Sequence, residues 1–118
     1  MEFASDKPIY RQIADYCCEQ VLTGAWASGG KVPSVRELAL DMAVNTHTVL
    51  KAYDQLQADG IIAPRRGMGY YTAEDAPARV LELRRQNFYA DTVPALKRQL
   101  DLLGISPEEL LEHLRDQQ

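Results

Sequence analysis

Residues 31–71 constrain the fold of this chain more than any other segment. Ser34 and Glu37 have the S-x-x-E spacing of a capping box, in which side chain and backbone satisfy each other's N–H groups at a helix start. After a short turn, Asn45 is a good N-cap for a second helix. Two short apolar strands follow, joined by a basic connection that contains glycine. This order predicts a winged helix-turn-helix, which offers one helix to a DNA major groove and a charged loop to the adjacent groove.

The remaining pattern predicts a mainly α fold with a small β-hairpin or sheet. An earlier helix is predicted at residues 8–22, because Ile9 and three later apolar residues repeat every four positions. The strands of the hairpin are predicted at residues 61–63 and 70–72, with a third, very short strand near residues 31–32. Alternation along the second strand predicts that one of its two tyrosines is buried and the other exposed.

A polar hinge separates this region from a helical tail. The chain is therefore predicted to divide into residues 1–75, a winged helix-turn-helix domain, and residues 76–118, a two-helix tail. The first tail helix is predicted at residues 78–103. Pro94 lies inside that span, and an interior proline removes a hydrogen bond, so a bend is predicted near residues 92–93. A last capped helix follows.

The charge balance of the chain bears on its partners. Its 118 residues have a formal net charge of −4, which argues against nucleic-acid binding by bulk charge. Any DNA contact must come from placement, so a few cations have to gather on one face. The candidates for that face are Lys31, Arg36, Lys51, Arg65 and Arg66.

Several other classes of protein are disfavoured by the sequence. No run of about 18 apolar residues is present, so no membrane span is expected, and the N-terminus lacks the pattern of a signal peptide. The two cysteines, interpreted as free thiols, make a reducing, cytoplasmic setting the default expectation. Adjacent Cys17 and Cys18 do not have metal-ligand spacing; one is predicted to be buried and one to lie near the surface. There is no nucleophile with a base and no phosphate-cradling glycine loop. We therefore expect no enzyme activity, no cofactor and no metal.

Seven segments of the chain form an ordered set of motifs: PIYRQI (8–13), VPSVRELA (32–39), VNTHTV (44–49), AYDQL (52–56), GII (60–62), RGMGY (66–70) and, in the tail, LGISPEEL (103–110). Through these segments the chain resembles the GntR family of bacterial transcription regulators over about residues 7–73. The short tail is similar to that of the YtrA-type subfamily, in which two helices serve mainly for dimerisation.

The resemblance implies which residues contact DNA. Arg36 matches a contacting arginine of the second helix, and the start of the third helix and the wing supply further contacts. Many members have arginine or another polar residue at the positions of Thr46 and Leu50. The resemblance implies that Lys51 compensates for part of this missing charge. The candidate DNA-binding residues are Ser34, Arg36, Asn45, Thr46, His47, Thr48, Lys51, Arg65, Arg66 and Gly67.

Each of these residues also has an ordinary structural interpretation. Arg36 could form a surface ion pair with Glu37 or Asp41, which contributes little to stability. Thr46 and Thr48 could serve only to start a helix. The two arginines of the wing could belong to a soluble turn, or could enter a minor groove whose A·T-rich sequence concentrates negative potential.

The leucines of the tail raise a similar choice. They could cover the first domain, or they could form the interface of a homodimer, because so short a chain offers little core for all of them. A two-fold dimer reads two half-sites related by the same symmetry. The candidate dimerisation residues are Leu83, Phe88, Leu96, Leu100, Leu103, Leu110 and Leu114.

Two functions remain open at this point. The first is a homodimeric, sequence-specific DNA-binding regulator, which the resemblance favours as a repressor on a palindromic operator of double-stranded DNA. The second is a winged-helix adaptor that binds protein instead of nucleic acid, which the acidic balance favours slightly. The sequence does not identify a small-molecule effector.

Overall fold

The computed structural model describes residues 6–116 and is mainly α-helical with one two-stranded antiparallel sheet. This is the predicted fold class. The expectation that residues 1–5 begin no signal peptide lies outside the described residues. The elements are α1 (Ile9–Thr23), α2 (Val35–Met42), α3 (Thr46–Ala58), β1 (Ile62–Arg65), β2 (Gly69–Thr72), α4 (Ala76–Asn87), a π-helical segment (Phe88–Thr92), α5 (Val93–Leu103) and α6 (Pro107–Asp116).

The chain forms two compact units, the first ending at Leu83 and the second beginning at Arg84. This division falls within α4, because Ala76 and Val80 are fully buried in the core of the first unit. Leu83 also packs against that core. The first unit thus extends beyond the polar hinge; the domain division after residue 75 stays a prediction.

Helix α1 contributes a wider buried face than its sequence pattern predicts. Its buried residues form two adjacent rows along the helix, so both Cys17 and Cys18 are buried. The prediction of one surface thiol was wrong, because residues of both rows belong to the hydrophobic core. Ile9, at the start of the predicted stripe, is 46% exposed. Gly24 ends the helix with a left-handed φ of 83°.

The start of each helix of the helix-turn-helix is capped as predicted. Ser34 Oγ accepts the Glu37 backbone N–H at 3.0 Å, and Glu37 Oε1 accepts the Ser34 N–H at 3.1 Å. Asn45 Oδ1 accepts the His47 N–H at 2.8 Å at the start of α3. Between the helices, Ala43 has a left-handed φ of 55°, a conformation that costs a side chain with a Cβ about 1–2 kcal/mol. The turn is therefore strained at one residue.

The first strand of the hairpin begins one residue later than predicted, and the second begins one residue earlier. Ile61 closes α3, because its N–H donates to the Leu56 carbonyl at 2.9 Å, and β1 therefore begins at Ile62. The strands pair from Ile62 opposite Thr72 to Arg65 opposite Gly69. The tyrosines of β2 are both half-buried, so the predicted contrast between them was wrong.

In place of the predicted third strand, Lys31 forms a single antiparallel bridge with Tyr71, so the sheet has two strands. Beside it, the buried Thr72 hydroxyl donates to the Ala27 carbonyl at 2.6 Å and accepts the Gly30 N–H at 3.1 Å. These bonds fix β2 to the loop that precedes α2. The wing is thereby held at its base by the backbone of the first unit.

The tail departs from a single bent helix. Helix α4 begins at Ala76, two residues earlier than predicted, and a π-helical segment separates it from α5. In that segment the Val93 N–H donates to the Phe88 carbonyl, five residues back. Pro94 lies in the first turn of α5, where its missing N–H costs little. The change of helical register therefore lies in the π-helical segment, directly before the turn that contains the proline.

Helices α5 and α6 contain no buried residue. Both are amphipathic, and several of their leucines are largely exposed, among them Leu103 at 71% and Leu114 at 57%. Phe88 and Tyr89, just before α5, touch edge to face with ring centroids 5.3 Å apart. The second unit has apolar faces but no closed core.

Candidate nucleic-acid interface

Helix α3 has one face in the core and one in solvent. Val49, Ala52, Tyr53 and Leu56 are buried on the inner face. On the outer face, Thr46, His47, Leu50 and Lys51 are exposed, as the helical pattern predicts. Thr48 is half-buried between the two faces. The exposed side chains cluster in the first turn and a half, where a recognition helix makes most of its base contacts.

Tyr53 ties α3 to the neighbouring parts of the site. Its fully buried side chain donates a hydrogen bond of 2.6 Å to the Pro33 carbonyl, directly before the cap of α2. Its ring lies 5.1 Å from that of Tyr70 in the wing and 6.4 Å from that of Trp26, both edge to face. Burial is the main reason that the pKa of Tyr53 is raised. One side chain therefore connects the recognition helix, the start of α2 and the wing.

Arg36 lies exposed in the first turn of α2. Its neighbour Glu37 is engaged in the capping box, and the hydrogen bonds with Ser34 hold the pKa of that carboxyl below its ordinary value. Within residues 6–116, Arg36 forms no ion pair with Glu37 or Asp41. The structural interpretation of Arg36 as half of a surface ion pair is therefore not observed. Ser34 is half-buried, and its oxygen accepts the cap hydrogen bond.

The wing displays its two arginines differently. The Arg65 guanidinium carbon lies 3.9 Å from the centroid of the Tyr71 ring, in a cation–π contact on the sheet. Arg66 and Gly67 are exposed at the turn, where Gly67 has a left-handed φ of 72°. Lys31 bridges Tyr71 through its backbone, and its Cε is 3.3 Å from where a Cβ on Gly69, at the turn end of β2, would lie. Arg66 is thus the arginine at the tip.

A second cation–π contact joins α1 to α3. The Lys51 ammonium lies 4.2 Å from the centroid of the Tyr10 ring. These two residues, with Ile9, His47 and Thr48, line an open hollow of about 370 Å³. The sequence did not predict either tyrosine as a partner of these cations, because each contact joins residues that are separated in the chain.

The structure brings the predicted residues together in local groups. His47, Thr48 and Lys51 surround the hollow, with Asn45 and Thr46 at the start of the same helix. Arg65, Arg66 and Gly67 share the wing, and Ser34 and Arg36 lie at the start of α2. Of the predicted dimerisation residues, Leu83 packs on the first unit, and the others belong to the second unit.

Two other features of the described residues bear on function. Residues 6–116 contain no group of three or more His, Cys, Asp or Glu side chains that could hold a metal ion. None of the helices described is both long and apolar enough to cross a membrane.

Comparison with known proteins places this geometry in a family. Residues 9–71 match the model of the bacterial regulatory proteins of the gntR family. The HTH-type transcriptional repressor YtrA of Bacillus subtilis is 36% identical over 112 residues, which are 95% of this chain and 85% of YtrA. These relatives are transcription regulators, which confirms the prediction that the chain is not an enzyme.

Solved structures agree with this assignment. A GntR family transcriptional regulator from Listeria monocytogenes matches with a TM-score of 0.77 and 33% identity, over 97% of this chain and 98% of that one. The structure of AraR(DBD) in complex with operator ORR3 matches with a TM-score of 0.56 and 25% identity, over 62% of this chain and 88% of that one. The chain therefore belongs to the GntR family of winged helix-turn-helix DNA-binding transcription regulators, and within it is of the YtrA type.

Proposed function

We propose that this regulator binds a palindromic operator as a homodimer and represses transcription by occupying a promoter. Helix α3 enters the major groove with its first turn and a half, and the wing reaches the adjacent groove. One observation carries the proposal: Thr46, His47 and Lys51 are exposed on a helix whose opposite face is buried. A helix held in this way presents its polar residues in a fixed orientation, as base recognition requires.

We expect different groups of residues to contact the bases, to supply positive charge near the phosphates and to shape the backbone of the interface. Thr46, Thr48 and His47 can reach base edges or phosphates from the start of α3, whereas Arg36 and Arg66 supply charge on either side. Ser34, Asn45 and Gly67 act mainly through backbone geometry at the helix starts and the wing. Since the whole chain has a net charge of −4, binding depends on these few cations.

Self-association is supported by the second unit. Helices α5 and α6 bury none of their residues, although Leu96, Leu100, Leu103, Leu110 and Leu114 lie along them. A second copy of the tail can cover these side chains and place two α3 helices on one duplex. The name of the relative YtrA, a transcriptional repressor, supports repression as the outcome. The regulator is proposed to act in the cytoplasm.

The direct test is selection of bound duplexes from a random pool, followed by anisotropy titrations at several salt concentrations. The proposal expects an inverted repeat, and an affinity that falls steeply as salt rises. Transcription in vitro from a promoter that carries the selected site should then decrease as the protein is added. Stimulated transcription would contradict the repressor role.

The alternative is a winged-helix adaptor that binds another protein. The acidic balance is the observation that favours it. The same titration distinguishes the two functions, because an adaptor binds no duplex even at low salt. A selection that recovers no enriched sequence would support the adaptor and contradict the operator.

A further inference from the structure

The contact between Lys51 and Tyr10 has a property that the proposed function does not explain. Lys51 is exposed on α3 and could extend in many rotamers, but its ammonium lies over a ring carried by α1. Tyr10 is half-buried and packs against the hydrophobic core, so its ring is a fixed surface. A mobile cation is therefore held by an immobile partner.

The surroundings of the ammonium suit an anion. The five residues that line the hollow are Ile9, Tyr10, His47, Thr48 and Lys51, and none of these lining side chains is a carboxylate. Thr48 offers a hydroxyl, and His47 offers an imidazole. No ion pair described for residues 6–116 includes Lys51. The ring covers one side of the ammonium, which leaves its other N–H donors directed away from Tyr10.

We infer that Tyr10 is a positioning residue for Lys51, and that the hollow receives a DNA backbone phosphate. This inference rests on the proposed function, because it requires α3 to lie on DNA. A long lysine side chain loses rotamer freedom when it binds a phosphate, which weakens binding. The ring restricts the side chain before DNA arrives, so less of that freedom is lost on binding. Tyr10 thus acts through Lys51 and through its ring, not its hydroxyl.

The contact itself can be observed in the absence of DNA. A ring current shifts the protons of a neighbouring CH₂ group upfield, so the Lys51 Hε resonances should be shifted in the wild type and in Tyr10→Phe. They should return to ordinary values in Tyr10→Leu. Unshifted resonances in the wild type would overturn the positioning role, whatever the protein binds.

The effect on DNA binding is measured by a double-mutant cycle on the selected duplex. We expect Tyr10→Phe to bind like the wild type and Tyr10→Leu to bind about two- to fivefold more weakly, because the restriction of Lys51 cannot exceed the free energy of an exposed cation–π contact. Lys51→Met should reduce the salt slope by about 1, because one phosphate contact is lost. In the Lys51→Met background, Tyr10→Leu should cause no further loss.

Three results would overturn the inference. Equal losses in Tyr10→Phe and Tyr10→Leu would show that the hydroxyl contacts DNA directly. Additive losses in the double variant would show that Tyr10 acts independently of Lys51. An unchanged salt slope in Lys51→Met, a substitution at an exposed residue that leaves the fold intact, would show that no phosphate binds there. Wild-type protein that binds no duplex would instead reject the proposed function, and the inference with it.

Discussion

The two compact units of this chain differ in how much of its apolar surface each unit buries within itself. In the first unit, α1, α2, α3 and the start of α4 share a core that includes the fully buried Tyr53, Ile13 and Val80. In the second, no residue of α5 or α6 is fully buried, and Leu100 and Leu110 are half-buried. Two short helices whose leucines stay exposed bury little apolar surface. They therefore gain little free energy to offset the conformational entropy that is lost when they become ordered. The difference suggests that one unit folds by itself and the other is completed by a partner.

The largest expected effect is on the second unit. Leu96→Asp places a charge on the amphipathic face of α5, so we expect self-association to weaken by at least about 100-fold. Sedimentation velocity over a range of protein concentrations measures this change. Leu102→Asp is the matched control, because Leu102 is 86% exposed and lies off the predicted face. Equal association of the two variants would contradict the predicted interface.

The first unit should respond to a different substitution. Tyr53→Phe removes the hydrogen bond to Pro33 and leaves that carbonyl without its partner, so the free energy of unfolding should fall by about 1–3 kcal/mol. Denaturant titration followed by Trp26 fluorescence reports this unit alone, because Trp26 is the only tryptophan. Tyr70→Phe, whose hydroxyl makes no hydrogen bond described within residues 6–116, should change stability by less than about 0.5 kcal/mol.

Self-association should not change in Tyr53→Phe. A shift in the sedimentation profile of this variant would mean that the stabilities of the two units are coupled. That result would contradict the view that the first unit folds by itself. An unchanged unfolding midpoint would mean that the bond between α3 and the start of α2 contributes nothing to the first unit.

A third substitution should affect neither fold nor association. Arg66→Ala removes the charge at the tip of the wing, so affinity for the selected duplex should fall on the order of tenfold and the salt slope by about 1. Anisotropy titrations measure both values. Met68→Ala, at a neighbouring exposed position without charge, should leave the slope as it is. If both variants bind like the wild type, the wing does not contribute to binding.

The smallest expected effect is at the turn between α2 and α3. Ala43→Gly relieves the left-handed φ of 55°, and after the entropy cost of glycine the first unit should gain about 0.5–1 kcal/mol. The same Trp26 titration measures the gain. Ala58→Gly, at the exposed last residue of α3, should instead lose stability, by less than about 1 kcal/mol. If both substitutions raised the free energy of unfolding, or both lowered it, the assignment of strain to Ala43 would be contradicted.

Local signals made much of the first unit predictable from sequence. Ser34 with Glu37, and Asn45, mark helix starts through bonds to residues two or three positions away, and the structure contains those bonds. The outer face of α3 followed from helical periodicity. The burial of Cys18 did not, because the width of a buried face depends on how many neighbours cover the helix.

Contacts between separate elements were not predictable. The pairing of Lys51 with Tyr10 joins α3 to α1, and nothing in either segment indicates the other. The π-helical segment was also missed: Pro94 signalled a disturbance, but not that the register would shift by one residue before it. Which tail leucines meet a partner stays a prediction, since periodicity identifies an apolar face without identifying what covers it.

The most direct test of the central claim is the stoichiometry of the complex on DNA. Sedimentation equilibrium with a labelled duplex that carries the selected inverted repeat should give two protomers per duplex, and a duplex with one half-site should bind far more weakly. This result follows if the second units of two protomers pair with each other and each first unit binds one half-site. One protomer per duplex, bound equally well by a single half-site, would contradict the account.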